Sequence, residues 1–269
     1  MAELVLDYRS NQNAQPHFLK HTEVEQLASV IRAQLLPEDA YAMPLATLAS
    51  VDRLKVNGIG YELWIDTEHA LTDEQDQSVL GLCEFDPGAP DAVMLSVSPA
   101  NDSITEELVL STFAHELGHA LFDAPGWLYQ AAKGPGLFDE PETSHKAYRT
   151  TTETAEHLAH HGTPDPLIKP RPHEQAVYFA ELRANEFMGS LLVPRHRLAL
   201  GIMICAPKLN VPLITTPELD SDCPGTLLRI AGVSTEDLEN LQRVLAKRFG
   251  VHRRFIEVRM SRYGFLPAR

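Results

Sequence analysis

The sequence predicts an α+β fold that is mainly helical and carries one small antiparallel sheet. Three short segments, 61–66, 79–85 and 92–97, have the alternation or the β-rich composition of strands. The last two flank a turn at residues 86–90 that contains two prolines and a glycine, so they are predicted to form a hairpin. Segments with apolar residues at helical spacing lie before and after these strands.

The first helix is predicted at residues 22–36, where Thr22 and Glu25 form a capping pattern and Pro37 ends the helix. Residues 1–20 are polar and irregular, which favours a loose arm. Further helices are predicted around residues 103–122 and 178–194, and two more at 234–248 and 251–263, separated by Gly250.

The composition limits the classes of protein to which the chain can belong. Its 269 residues are 44% hydrophobic and 22% charged, as in an ordinary soluble globular protein. No apolar run approaches the ~20 residues of a membrane span, and the N-terminus lacks the basic and apolar regions of a secretory signal. The cysteines, Cys83, Cys205 and Cys223, form no C-x-x-C pair and are expected to be free thiols. We therefore expect a cytoplasmic protein.

The most informative stretch is residues 115–119, which read His-Glu-Leu-Gly-His and match H-E-x-x-H. The pattern Ser103-x-x-Glu106 is typical of a capping box and predicts that the stretch lies in a helix. Residues four apart share one helical face, so His115 and His119 would point two imidazoles at one metal ion. Glu116 is the next residue after His115, about 100° further around the helix, and would reach a water molecule bound beside that ion. This predicts a zinc site, although manganese or iron would fit the same pattern.

A third protein ligand is needed to complete such a site. Metzincins supply it through a longer pattern, which is excluded because positions 122 and 125 hold Phe and Pro. Asp123 lies one turn beyond His119, but a surface carboxylate at a helix end is its simpler interpretation. Glu181 is the stronger candidate, since a second predicted helix carries it with Asn185 one turn later on the same face. Asn185 could then accept a hydrogen bond from the ring N–H of a ligating histidine.

These residues carry a family resemblance. His-Glu-Leu-Gly-His, followed by E-x-x-A-N-x-F at 181–187 and a Leu-Leu-Val-Pro helix end, resembles the ImmA/IrrE-type metallopeptidases, relatives of the thermolysin-like gluzincins. The resemblance covers about residues 20–265 and implies a zincin-like core. It implies His115, His119 and Glu181 as zinc ligands, Glu116 as general base and Asn185 as a hydrogen-bond partner behind a ligand. In zinc peptidases of this kind an edge strand binds the substrate backbone by strand addition.

We expect two regions in the chain. Residues 1–194 are predicted to form the metallopeptidase domain, with an insertion at about 124–173, and residues 195–269 to form a C-terminal helical segment. Many prolines and glycines interrupt the insertion, in which residues 151–161 have the pattern of one short helix. A His or Tyr of the insertion could stabilise an oxyanion. We single out none, because solvated surface positions are the simpler interpretation of its histidines, which are His145, His157, His160, His161 and His173.

The C-terminal segment is basic, whereas the chain as a whole has a net charge of −14. From residue 243 onward the chain has eight basic residues and one acidic residue, Glu257, which gives a net charge of +7. The rest of the chain has 15 basic and 36 acidic residues, which gives a net charge of −21. Its predicted helix, turn and second helix resemble a helix-turn-helix. The basic residues could contact DNA. We favour docking of the basic tail on the acidic remainder of the chain, because a DNA-binding helix-turn-helix needs its second helix free to enter a groove.

The leading functional hypothesis is therefore a zinc-dependent endopeptidase. The family resemblance implies a cytoplasmic helix-turn-helix repressor as its protein substrate. Two alternatives remain open: a metal-binding transcriptional regulator whose basic tail binds DNA or a protein, and the toxin or sensor half of a two-gene module. An intact H-E-x-x-H favours the enzyme, because a purely structural metal site has no use for Glu116.

Overall fold

The computed structural model describes residues 2–72, 76–134, 146–150, 172–218 and 225–266. The fold is α+β, as predicted. The chain divides into two compact units. The first consists of Met1–Glu38 and Pro44–Leu191, and the second of Asp39–Met43 and Leu192–Arg269.

The first unit contains a six-stranded sheet and a separate two-stranded ribbon. The strands of the sheet, in chain order, are β1 (Ala2–Leu6), β2 (Val51–Val56), β3 (Ile59–Asp66), β6 (Gly81–Phe85), β7 (Ala92–Val97) and β8 (Lys146–Thr150). Their spatial order is β1-β2-β3-β7-β6-β8. The ribbon is formed by β4 (Leu71–Thr72) and β5 (Ser78–Val79).

The sheet is mixed, so the prediction of an antiparallel sheet was wrong. The predicted hairpin is present, since β6 and β7 pair antiparallel, and β2 with β3 and β6 with β8 are also antiparallel. However, β1 pairs parallel with β2, and β3 pairs parallel with β7. In both parallel pairs other elements intervene along the chain, so the second strand returns in the same direction as the first.

The N-terminal segment is not a loose arm, because residues 2–6 form a strand. β1 alternates between buried Leu4 and Leu6 and exposed Glu3 and Val5, which places two leucines in the core. The strand pairs with β2, which the sequence reading also missed. β2 and β3 are joined by the turn Asn57-Gly58, where both residues have positive φ angles, 51° and 82°. That pair is the preferred sequence for a tight hairpin turn.

The first unit contains five helices among the described residues. They are α1 (His21–Leu35), α2 (Leu45–Ala49), α3 (Glu106–Phe122), α4 (Ala124–Lys133) and α5 (Pro172–Leu192). α1 faces its buried Val24, Ala28 and Ile31 toward the core and ends before Pro37, close to the predicted bounds. α3 contacts β6, β7 and α4.

α3 is the central helix of this unit. Its N-cap is Thr105, whose hydroxyl oxygen accepts a hydrogen bond from the Leu108 N–H at 3.3 Å. The predicted cap, Ser103, instead donates its backbone N–H to the Asn101 side chain. Thirteen of the 17 residues are buried, including every residue from Thr112 to Phe122. From Thr112 onward the helix is therefore enclosed on all sides, whereas the sequence predicted a helix that is apolar on one face.

The second unit combines helices with a β-hairpin. Its elements are α6 (Arg195–Cys205), a 3-10 turn (Ala206–Leu209), β9 (Leu213–Glu218), β10 (Gly225–Ile230), α7 (Thr235–Phe249) and α8 (Arg253–Arg262). The two predicted C-terminal helices are present. Ser234 caps α7 by accepting the Asp237 N–H at 3.0 Å, and Gly250 ends it with a left-handed φ of 68°. α6 and the β9–β10 hairpin were not predicted.

Within the described residues, every helix is too short or too polar to cross a membrane.

Candidate metal centre

Two histidines of α3 meet at one buried point. His115 and His119 are one helical turn apart, and their ring centroids are separated by 4.8 Å. Their Nε2 atoms lie 3.1 Å from each other. Two imidazole nitrogens this close repel each other unless a proton or a cation lies between them. The side chain of His115 is only 3% exposed and that of His119 is fully buried.

Glu181 of α5 brings a carboxylate to the same point. Its Oε2 lies 3.3 Å from His115 Nε2, and its Oε1 lies 3.4 Å from His119 Nε2. Two ligands bound to zinc at about 2.0–2.1 Å in a tetrahedral arrangement lie about 3.3 Å apart. The separation of the two histidine nitrogens is close to this value, and each carboxylate oxygen of Glu181 lies at a similar distance from one of them. These three residues form a group that could hold a metal ion.

The charges around the site also favour a bound cation. Burial lowers the pKa of His119, but its hydrogen bonds to Asp123 and Glu181 outweigh burial and raise that pKa to about 10. Burial raises the pKa of Glu181, but hydrogen bonds and charge interactions with both histidines hold it well below its usual range. The carboxylates thus stabilise positive charge between the histidine rings, which a metal ion would provide.

The other ring nitrogen of each histidine has its own partner. His115 Nδ1 lies 3.1 Å from Asn185 Oδ1, and His119 Nδ1 lies 2.9 Å from Asp123 Oδ2. The amide of Asn185 also donates to the backbone carbonyl of Glu181 at 2.7 Å. Such partners place the ring N–H on Nδ1 and leave Nε2 free to bind a metal. Asn185 thus lies where the sequence reading expected a partner for a ligating histidine.

Asp123 is not the surface carboxylate that the sequence reading preferred. Only 9% of its side chain is exposed, because it lies at the junction of α3 and α4 and faces His119. Its second oxygen forms an ion pair with Arg183 of α5, whose guanidinium also lies 5.6 Å from the centre of the Phe122 ring. Asp123 therefore connects a candidate ligand on α3 to the helix that carries Glu181.

Two tyrosines anchor the end of α3 that carries Asp123. Tyr61 of β3 donates its hydroxyl to the Ala120 carbonyl at 2.7 Å, and Tyr8, just beyond β1, donates to the Leu121 carbonyl at 3.0 Å. These carbonyls belong to the last turn of the helix, where backbone acceptors otherwise lack partners. Burial raises the pKa of both phenols, so they remain donors at neutral pH. The N-terminal segment thus helps to hold the site.

Glu116 follows His115 in α3, is fully buried, and its charge helps to raise the pKa of His119. It faces Gly81, the first residue of β6. A Cβ atom added at Gly81 would lie 2.4 Å from Thr112 Cγ2 and 2.9 Å from Glu116 Oε1. Any side chain at position 81 would therefore displace these neighbours. Gly81 leaves the space that the Glu116 carboxylate occupies between helix and sheet.

A second glycine sets the distance between the two helices of the site. A Cβ atom added at Gly118 would lie 3.0 Å from Ala184 Cα and 3.3 Å from Phe187 Cδ1. The absence of a side chain at Gly118 and the small side chain at Ala184 let α3 and α5 approach closely. That approach brings Glu181, three residues before Ala184, to the histidines.

Of the residues predicted from the sequence, His115, His119 and Glu181 form one group, Asn185 is bonded to His115, and the charge of Glu116 acts on His119. Asp123 was considered as a ligand but predicted to lie at the surface, and the contributions of Arg183 and Gly81 were not predicted. Of the possible contributors in the insertion, residues 151–161 and His145 lie outside the described residues, as does the side chain of His173.

Comparisons with known proteins do not identify the chain. A scan against protein-family models gave no match, and a search of curated proteins gave none either.

Proposed function

We propose that the protein is a zinc-dependent endopeptidase. The observation that carries this proposal is the convergence of His115, His119 and Glu181 at distances suited to one metal ion. Glu116, the residue after His115 in α3, is buried and its charge acts on His119. Among the described residues no fourth His, Cys, Asp or Glu joins this group. Three protein ligands leave one position open for a reactant, as in catalytic zinc sites, whereas structural zinc sites have four protein ligands.

Glu181 is the most exposed of the three candidate ligands. Its side chain is 24% exposed, while both histidines are almost completely buried.

A bound zinc ion would act as a Lewis acid that polarises the scissile carbonyl and makes water more acidic. Glu116 would carry the proton. Its carboxylate would accept a proton from the attacking water as the new C–O bond forms, and deliver it to the amine nitrogen as the C–N bond breaks. One water is consumed, and a carboxylic acid and an amine are formed. Asn185 and Asp123 would hold the two histidine rings in place throughout.

The sheet offers a way to bind an extended peptide near these groups. β6 begins at Gly81, against Glu116, and runs along α3. A peptide that pairs with such a strand is held through its backbone, and its side chains alternate between the two faces. We further propose a regulatory protein as the substrate, such as a cytoplasmic helix-turn-helix repressor. This substrate rests on the sequence resemblance alone.

The C-terminal unit gives less support to a DNA-binding regulator. Arg248 stacks on the Tyr41 ring, with its guanidinium carbon 3.7 Å from the ring centre, and buried Arg259 donates to the Tyr263 hydroxyl. Arg243 pairs with Glu239, and Arg253 donates to the Gln242 side chain and lies 4.0 Å from Glu257. At least half of the basic residues of the tail are thus engaged within the unit, which leaves fewer of them for phosphate contacts.

The variant Glu116→Gln tests the proposed reaction. It should retain zinc, because residue 116 is not among the ligands, and it should lower peptide cleavage by about 10²–10⁴-fold, the typical contribution of a general base. Cleavage is measured by mass spectrometry as new termini in a mixture of proteome-derived peptides. Glu107→Gln, at an exposed position of the same helix, is the matched control and should cleave like the wild type. Cleavage by Glu116→Gln at the wild-type rate would exclude the mechanism.

A further inference from the structure

β6 lies against Glu116 at Gly81, and both of its sides are paired. One side pairs with β7 and the other with β8. β6 and β8 both contact α3, the helix that carries the two candidate histidine ligands. The place beside β6 where an extended peptide would lie is therefore already filled by a segment of the same chain.

β8 has the arrangement of a bound peptide. It runs antiparallel to β6 over five residue pairs, from Gly81 opposite Thr150 to Phe85 opposite Lys146. Its Thr150 end lies opposite Gly81, the residue that contacts Glu116. Without β8, β6 would be an edge strand with free backbone donors and acceptors, and such an edge readily pairs with another chain.

The opposite edge of the sheet offers no equivalent place. There the side-chain amide of Gln34, on α1, bonds the backbone of Val5 in β1. The Val5 N–H donates to Gln34 Oε1 at 2.9 Å, and Gln34 Nε2 donates to the Val5 carbonyl at 2.8 Å. This amide takes the place of a neighbouring strand at the middle of β1. The edge at β6 is therefore the one suited to a peptide, and it lies next to the metal centre.

β8 comes from the segment of the chain that links the two helices of the site. It lies between α4, which ends at Lys133, and α5, which begins at Pro172. The chain holds it at both ends, and tethered segments compete at effective concentrations on the order of mM. β8 is the last strand at its edge of the sheet, so the other five strands would remain paired with one another without it.

We propose that β8 is an internal competitor for the peptide-binding edge of β6, so that a substrate must take the place of β8 before it can be cleaved. This regulation rests on the proposed endopeptidase function. It predicts that the wild-type protein binds extended peptides weakly and that weakening the β6–β8 pairing increases both peptide binding and cleavage. It also restricts substrates to segments that can become extended strands.

The test uses a fluorescein-labelled peptide with the sequence of residues 144–152, which contains β8. Its binding is measured by fluorescence anisotropy, with Glu116→Gln present in every protein so that no cleavage occurs. Tyr148→Pro removes a backbone N–H from β8 and should weaken its pairing with β6, whereas the matched control Tyr148→Ala keeps that N–H. We expect Tyr148→Pro to bind the peptide at least tenfold more tightly than Tyr148→Ala or the wild type. The same peptide with proline in place of its tyrosine has the same charge and should not bind.

Equal binding by Tyr148→Pro and Tyr148→Ala would overturn the proposal, as would no binding by a Tyr148→Pro protein with native circular dichroism. If that variant does not fold, a disulfide provides the test. Glu84 and Ala147 are directly opposite in the two strands, so Glu84→Cys with Ala147→Cys should lock β8 in place when oxidised. The oxidised protein should bind the peptide at least tenfold more weakly than its reduced form. Equal binding by both forms would again overturn the proposal.

These results are independent of catalysis. Failure of the endopeptidase proposal would appear as absence of zinc or of Glu116-dependent cleavage, and the anisotropy difference would persist. Failure of the competitor proposal would appear as unchanged anisotropy, while zinc content and cleavage would remain.

Discussion

The close contact at Gly118 leads to a prediction about metal affinity. In Gly118→Ala the new Cβ atom would lie 3.0 Å from the backbone Cα of Ala184, so the helices must separate by a few tenths of an ångström. Metal sites tolerate errors of only about 0.2 Å in ligand distances. Because Glu181 is carried by the same helix as Ala184, the separation would move it away from the histidines. We expect zinc affinity to fall by about 10–100-fold, similar to the loss of a residue that orients a ligand.

The stability of the metal-free protein should change much less. Alanine is favoured over glycine in a helix interior by about 1 kcal/mol, whereas overpacking costs about 1–3 kcal/mol. These effects oppose each other, so the net change is expected to be small. The substitution thus separates metal binding from folding.

Zinc affinity is measured by competition with a chromophoric chelator, and stability by urea unfolding of the metal-free protein. Gly201→Ala in α6 is the matched control. There the new Cβ atom meets the end of the flexible Leu245 side chain rather than backbone, so zinc affinity should not change. An affinity of Gly118→Ala within twofold of the wild type would refute the role of this contact. Adding Ala184→Gly should restore little, because it removes the Ala184 Cβ and leaves the Cα.

Other predictions concern the remaining parts of the site. Asp123→Ala removes the partner of His119 Nδ1 and should weaken zinc binding by about 10–100-fold; affinity equal to that of the wild type in chelator competition would contradict the role of Asp123. Asn185→Ala removes the partner of His115 Nδ1 and should weaken binding by a similar factor in the same measurement. Gly81→Ala should keep zinc but reduce peptide cleavage, because the new Cβ atom would lie 2.9 Å from Glu116 Oε1. Full cleavage by Gly81→Ala would show that this contact does not position Glu116.

Features set by short stretches of sequence were predictable. The spacing of His115 and His119 follows from helical geometry, and the hairpin of β6 and β7 follows from a Pro- and Gly-containing turn between two apolar runs. Two further features of the fold also have local signals in the sequence. Asn57-Gly58 is the favoured pair for a tight hairpin turn, and it joins the unpredicted β2 to β3. Gly118 was also informative, since a glycine within a helix usually has a packing reason.

Features set by distant parts of the chain could not be predicted. Asp123 has the local sequence of an ordinary helix end, and only the approach of α5 brings Arg183 to it. Gly81 gives no local sign that the Glu116 carboxylate will lie against it. β1 is a short strand in polar surroundings, and its parallel pairing with β2 depends on the α1 and α2 connection between them.

The central claim is that His115, His119 and Glu181 hold one zinc ion. It is tested most directly by elemental mass spectrometry of the wild-type protein and of Glu181→Ala, both purified without added metal. We predict about one zinc per chain in the wild type and a marked loss in the variant. Full zinc occupancy in Glu181→Ala would show that the third ligand lies elsewhere. Absence of metal from both proteins would contradict the metal centre itself.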